Sequence, residues 1–121
     1  MTWDDAQQQC NQYEAGLVKI KSAEENAFVL NLVKKKALPL KQVWIGLKYY
    51  INNFYWYDHS ALASEDYKNW GATQQPNMVG NGDCVRMWID VLPDQKEKIA
   101  GVWNACSCKK DYGGGVCKKL P

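Results

Sequence analysis

The chain has 121 residues, of which 46% are hydrophobic and 23% charged, a composition of ordinary globular domains that excludes disordered and fibrous classes. That length suits one core, expected here as a single domain over residues 1–121, and no apolar run approaches the roughly 20 residues of a membrane span. With 15 Lys and Arg against 13 Asp and Glu, a net charge of +2, phosphate attraction cannot organise the molecule, so no nucleic-acid partner is expected.

The first element begins at Thr2, a capping residue with Asp5 three positions on; Trp3, Ala6, Cys10 and Tyr13 then follow at helical spacing. This predicts a helix from Thr2 to about Ala15, stopped by Gly16. Leu17-Val18-Lys19-Ile20 alternates like a half-buried strand, and Ser22-Ala23-Glu24-Glu25 is a capping box that opens a second helix. Phe28, Val29, Leu32 and Val33 form its apolar stripe. Lys34-Lys35-Lys36 falls in its last turn, where cations complement the helix dipole, and reads as a helix end rather than a nucleic-acid patch; Pro39 prevents continuation.

From Val43 onward the pattern turns to strands. Val43-Trp44-Ile45-Gly46-Leu47 and Phe54-Tyr55-Trp56-Tyr57 are predicted strands. Residues 58–83, rich in Asn, Gln, Gly and Ser, have no sustained period and read as a long loop of the kind that is functional in small domains. Cys84 to Ile89, Gly101-Val102-Trp103-Asn104 and Val116-Cys117-Lys118-Lys119 are the closing strands. Helices followed by strands without β-α-β alternation give an α+β class.

Six Trp and seven Tyr against two Phe give nearly every ring a polar handle, a usage suited to half-wet binding surfaces. Five Cys is high for a reduced compartment, and the odd number is accounted for most simply by two disulfides and a leftover thiol. The chain opens on a polar run, and no Asn-x-Ser/Thr sequon occurs, so the expectation of a secreted, extracellular protein rests on the cysteines.

In this order, Trp3, Ala6 and Cys10, the Ser22 box, Trp44-Ile45-Gly46-Leu47, Tyr67-Lys68-Asn69-Trp70, Gln75-Pro76-Asn77, Asp83-Cys84, Trp103-Asn104 and Cys117 resemble the C-type lectin-like domain over nearly the whole chain. The resemblance implies that fold, with two helices packed on antiparallel sheets. It implies disulfides Cys10–Cys117 and Cys84–Cys108, leaving Cys106 as a free buried thiol, an alternative partner of Cys84, or an interchain bridge in a homo- or heterodimer. Family members usually carry a strand before the first helix; here that strand is missing, replaced or outside the sequence.

The family's sugar site combines a Glu/Gln-Pro-Asn/Asp tripeptide, whose proline is cis, with an acid two residues before the loop-exit Cys and a Trp-Asn-Asp triplet; together they hold a Ca²⁺ ion that takes up vicinal hydroxyls. The resemblance carries sugar binding onto Gln75, Pro76, Asn77 and Asn104, and ion binding onto Gln75, Asn77, Asp83 and Asn104. Gln at 75 matches galactose-type members and Asn at 77 mannose-type members. Gly82 and Ala105 stand where acids would chelate, so Ca²⁺ dependence is expected to be weak or absent and no cofactor to be required. The amides of Gln75, Asn77 and Asn104 can bond a sugar directly, with Trp70, Tyr67 or Trp88 offering a ring face; galactose-type or N-acetylhexosamine sugars are the expected ligands.

Three other readings compete. Enzymatic activity is not expected, because the lone His59 in an Asp-His-Ser turn reads as solvated. A zinc site built from Cys106 and Cys108 with Cys84, Cys117 or His59 has short Cys-x-Cys spacing. A protein-binding or mineral- or ice-associated member that has lost the sugar site is the third, favoured by Gly82 and Ala105.

Overall fold

The computed structural model describes residues 1–35, 42–71, 83–89, 100–110 and 114–119. Its first helix, α1 (Trp3–Asn11), begins as its capping signal requires: the Thr2 hydroxyl accepts the Asp5 N–H at 3.2 Å, and the Asp5 carboxylate accepts the Thr2 N–H at 3.3 Å. Trp3, Ala6 and Cys10 form its buried face. The helix ends four residues before the predicted Ala15, which leaves Tyr13 exposed. Glu14 takes a left-handed φ of 54° that turns the chain, and Ala15–Leu17 become a strand, β1. The cause is tertiary: the Cys10–Cys117 disulfide brings this segment beside β6 (Cys117–Lys119), where Gly16 pairs with Lys118. Gly16 is therefore a point of close packing rather than a helix stop, since the Tyr57 ring occupies the space its Cβ would fill.

The second helix, α2 (Ala23–Lys35), keeps half of its predicted capping box. The Ser22 hydroxyl accepts the Glu25 N–H at 3.1 Å, but the Glu25 carboxylate turns to the Lys21 N–H at 2.7 Å and to the Lys118 ammonium at 2.8 Å. Its buried stripe is Asn26, Val29 and Val33. Phe28 and Leu32, predicted to be buried, are exposed; the inward stripe is rotated to start at Asn26, whose amide is bonded inside the domain.

Four strands form the main antiparallel sheet in the order β3-β2-β4-β5: β2 (Gln42–Tyr50), β3 (Asn53–Trp56), β4 (Asp83–Trp88) and β5 (Trp103–Ser107). β2 extends beyond both predicted ends because it pairs with β3 on one side and β4 on the other. β5 starts two residues later than predicted, since Gly101, at φ 91°, lies in the preceding turn. Its N–H donates to the Trp88 carbonyl at 2.7 Å.

The larger core cluster packs Ile45, Leu47, Trp56, Val85, Met87 and Trp103 between this sheet and α2. A second joins Trp3, Cys10, Leu17, Trp44 and Cys84 near α1. Both expected disulfides are present, Cys10–Cys117 with Cα atoms 5.5 Å apart and Cys84–Cys108 at 4.9 Å. With Cys84, Cys108 and Cys117 oxidised, the zinc reading keeps only the Cys106 thiol, and no group of three metal-ligating side chains occurs among the described residues. No described helix is long and apolar enough to cross a membrane.

Candidate functional site

The antiparallel register of β4 and β5 places Arg86 opposite Asn104 and Val85 opposite Ala105. Alternation turns Val85, Met87, Trp103 and Ala105 into the core and puts Arg86, Trp88 and Asn104 together on the other face. There the Trp88 indole N–H donates a short hydrogen bond to Asn104 Oδ1. The Arg86 guanidinium lies 4.9 Å from the Trp88 ring centre, covering it. Trp88 is only 5% exposed and Asn104 3%, so the Trp88 face expected to be open to a sugar is taken by a cation. Asn104 Nδ2 is buried without a hydrogen-bond acceptor among the described residues. The donor fixes the amide's orientation, because the indole N–H requires the oxygen rather than the NH₂.

A hard cation needs several oxygen ligands, and charged ones raise its affinity. Here the Asn104 side-chain oxygen is committed to an indole, Ala105 has no side-chain oxygen, and a guanidinium stands across the ladder. Of the residues that the resemblance assigns to the ion, only Asp83 and Asn104 lie among the described residues. Asp83, half-buried at the start of β4, pairs in register with Ser107. Gln75, Pro76, Asn77 and Gly82 lie outside the described residues.

The segment leading to that loop is held by its own polar network. Lys68 Nζ donates to the carbonyls of Ala63, Ser64 and Asp66 at 2.7, 3.0 and 3.0 Å, and the Asp66 carboxylate accepts the Ala63 N–H at 2.8 Å. Tyr67 and Trp70, which follow, pack edge-on against Trp103 with ring centres 5.7 and 5.8 Å away, and Trp70 also meets Phe54 at 4.8 Å. These two of the three expected stacking rings are thus half-buried partners of the core, and burial pushes the Tyr67 phenol pKa up. The Trp70 indole N–H is buried without an acceptor among the described residues.

One supporting node escaped the sequence reading. Asn26 of α2 donates to the Gly101 carbonyl at 3.0 Å and accepts the Trp103 indole N–H at 2.8 Å; Asn69 donates to the same carbonyl at 2.7 Å. The node ties α2, residues 69–71 and the start of β5 into one unit, reinforced by the Trp103 N–H to the Asn69 carbonyl at 2.8 Å and the Gly71 N–H to the Trp103 carbonyl at 3.0 Å. An amide three residues before Val29 on a helical stripe is the signal that would have revealed it.

Comparison with known proteins agrees with this architecture. The chain is 30% identical over 115 residues to a perlucin-like protein of Mytilus galloprovincialis, covering 95% of this chain and 68% of that one. Of the selectins that it also matches it spans 17% to 28%. Human lithostathine superposes with a TM-score of 0.77 at 30% identity, covering 99% of this chain and 77% of that chain. The cow CD23 carbohydrate-recognition domain, solved in the presence of a GlcNAc2Man3 oligosaccharide, superposes with a TM-score of 0.72 at 27% identity, covering 100% and 81%. The family model described as the lectin C-type domain matches residues 1–119. With the two disulfides, the two helices and the antiparallel sheets in place, the chain belongs to the C-type lectin domain family.

Proposed function

We propose that this domain is a non-enzymatic, secreted lectin that binds terminal galactose-type or N-acetylhexosamine sugars by direct hydrogen bonding, with weak or no Ca²⁺ dependence. The observation that carries the reading is the state of Asn104: its oxygen, the atom a cation would need, is held by Trp88, while its amide hydrogens meet no acceptor among the described residues. A buried donor left unpaired costs about 1–3 kcal/mol, and an acceptor group of the sugar, such as an acetamido carbonyl, offsets that cost. Gln75 and Asn77 supply the remaining amide contacts in this proposal. The likeness to a carbohydrate-recognition domain solved with an oligosaccharide supports sugar as the ligand class. Two disulfides suit an oxidising, extracellular setting. Cys106, on β5 opposite Cys84 and outside both bridges, is proposed to link two subunits, which would raise avidity for clustered sugars.

Glycan-array binding in Ca²⁺ and in EDTA tests the reading. Binding that survives EDTA and is lost in Gln75→Ala and Asn77→Ala is the expected result. Loss in EDTA refutes ion independence, and absence of binding in both arms shifts the function to a protein or mineral partner. Non-reducing electrophoresis is expected to show a dimer that Cys106→Ser abolishes; a monomer in the wild type refutes the bridge.

A further inference from the structure

Away from the β4–β5 face, the β2–β3 hairpin has an unusual outer surface. Its register pairs Leu47 with Trp56 and Tyr49 with Phe54, four residues of which three are fully buried in the core and Tyr49 packs against it. The alternate pairs, Lys48 with Tyr55 and Tyr50 with Asn53, face outward. The outer face of a half-buried sheet is ordinarily polar; this one carries Tyr50, Tyr55 and, beyond the strand, Tyr57. The N-terminal turn of α1 lies against one side of it, with Lys48 Nζ 5.4 Å from the centre of the Trp3 ring. Between them is a cleft of about 540 Å³ lined by these rings together with Lys48 and His59, within the roughly 300–1,000 Å³ of small-molecule sites.

The chemistry of the lining is one-sided. Lys48, His59 and the tyrosine hydroxyls can all donate, and no carboxylate among the described residues lines the cleft. Asp4 forms a loose, solvent-exposed ion pair with Lys48 Nζ at 3.9 Å, a distance beyond hydrogen bonding, so an anionic ligand competes with a weak surface pair. Tyr50 is 58% exposed, leaving ring surface uncovered. A complementary ligand has an apolar ring face to lie on phenol and an acceptor-rich, negatively charged group to meet Lys48. We propose that this cleft is a second ligand site, separate from the Asn104 face, that takes a short acidic saccharide, a pyranose ring bearing a carboxylate or sulfate. The domain would then present two different saccharide sites on one chain.

The test is a ¹⁵N-correlation titration of the intact oxidised domain with methyl glucuronide, alongside methyl glucoside and sodium acetate. The expected result is saturable shifts at the amides of Lys48, Tyr50 and Tyr55 with a Kd of about 1 mM, at least about tenfold tighter than for the neutral glycoside. Lys48→Gln is expected to weaken binding about tenfold. Tyr50→Ala, a change at the exposed rim that does not threaten folding, is expected to weaken it several-fold. Absence of saturable shifts, equal binding of the neutral glycoside, equal shifts from acetate alone, or indifference to both variants overturns the proposal, as do shifts that follow protein dilution without sugar, which would mark a second copy in the cleft. Lys48 and Tyr50 take no part in the proposed Asn104 site, so Lys48→Gln and Tyr50→Ala read the failure of this cleft separately from that of the Asn104 site.

Discussion

Replacing Asn26 by Ala removes two hydrogen bonds with unequal consequences. The Gly101 carbonyl keeps a donor, Asn69 at 2.7 Å, but the Trp103 indole N–H, in a ring with no solvent exposure, loses its acceptor. An orphaned buried donor costs about 1–3 kcal/mol, and the emptied amide volume adds to it, for a total of about 2–4 kcal/mol. Asn69→Ala orphans nothing, because Asn26 still serves the Gly101 carbonyl at 3.0 Å, and should cost about 1 kcal/mol. The double variant strips that carbonyl of both side-chain donors, so its cost should exceed the sum of the single costs by about 0.5–1.5 kcal/mol. Urea unfolding of the oxidised proteins, followed by tryptophan fluorescence with comparable m-values, measures all three. A cost for Asn69→Ala equal to that of Asn26→Ala, or additivity in the double variant, would refute the assignment of Asn26 as the sole acceptor for Trp103 and of Gly101 as a shared one.

Acid should probe Asp58. Burial by itself raises its pKa, but the Ser60 hydroxyl at 2.6 Å, the Ser60 N–H at 3.0 Å and the Lys19 ammonium at 3.0 Å bring it down from 3.8 to about 2. A depressed carboxylate stabilises the fold fully above its unfolded pKa, and that contribution fades as pH falls from about 4 to about 2; its partial exposure keeps the effect small. The stability advantage of the wild type over Asp58→Asn, measured by thermal unfolding, should therefore vanish across this window, and a constant difference would contradict the ion pair. The disulfides close loops with sequence separations of 107 and 24 residues, worth about 5 and about 3.5 kcal/mol on chain-entropy grounds. Removing Cys10 and Cys117 together should lower the denaturation midpoint more than removing Cys84 and Cys108, and the reverse order would show that native-state effects outweigh loop entropy.

Local signals decided much of this molecule without a structure. Thr2 with Asp5, and Ser22 with Glu25, mark helix starts because an N-cap is satisfied within four residues. The strand runs around Trp44, Trp56, Trp88 and Trp103 are legible because β-propensity and burial act on neighbouring residues. The disulfide pairing followed from the order and spacing of motifs shared with a family.

What failed from sequence was whatever depends on contacts between distant residues. The end of α1 is set by a disulfide to Cys117 and by β1–β6 pairing, neither of which helical spacing records. The buried face of α2 turned toward Asn26 because its partners, Gly101 and Trp103, lie 75 and 77 residues away. Trp88 and Asn104 were both legible as site residues, but that one occupies the oxygen of the other is a product of β4–β5 register. The aromatic cleft likewise exists only because the hairpin's alternation turns its tyrosines outward while α1 folds beside them. The motifs along the chain carried the resemblance to a family, and composition supplied the inventory of amides and rings; tertiary structure, by bringing strands into register, decided which of their atoms are already spoken for.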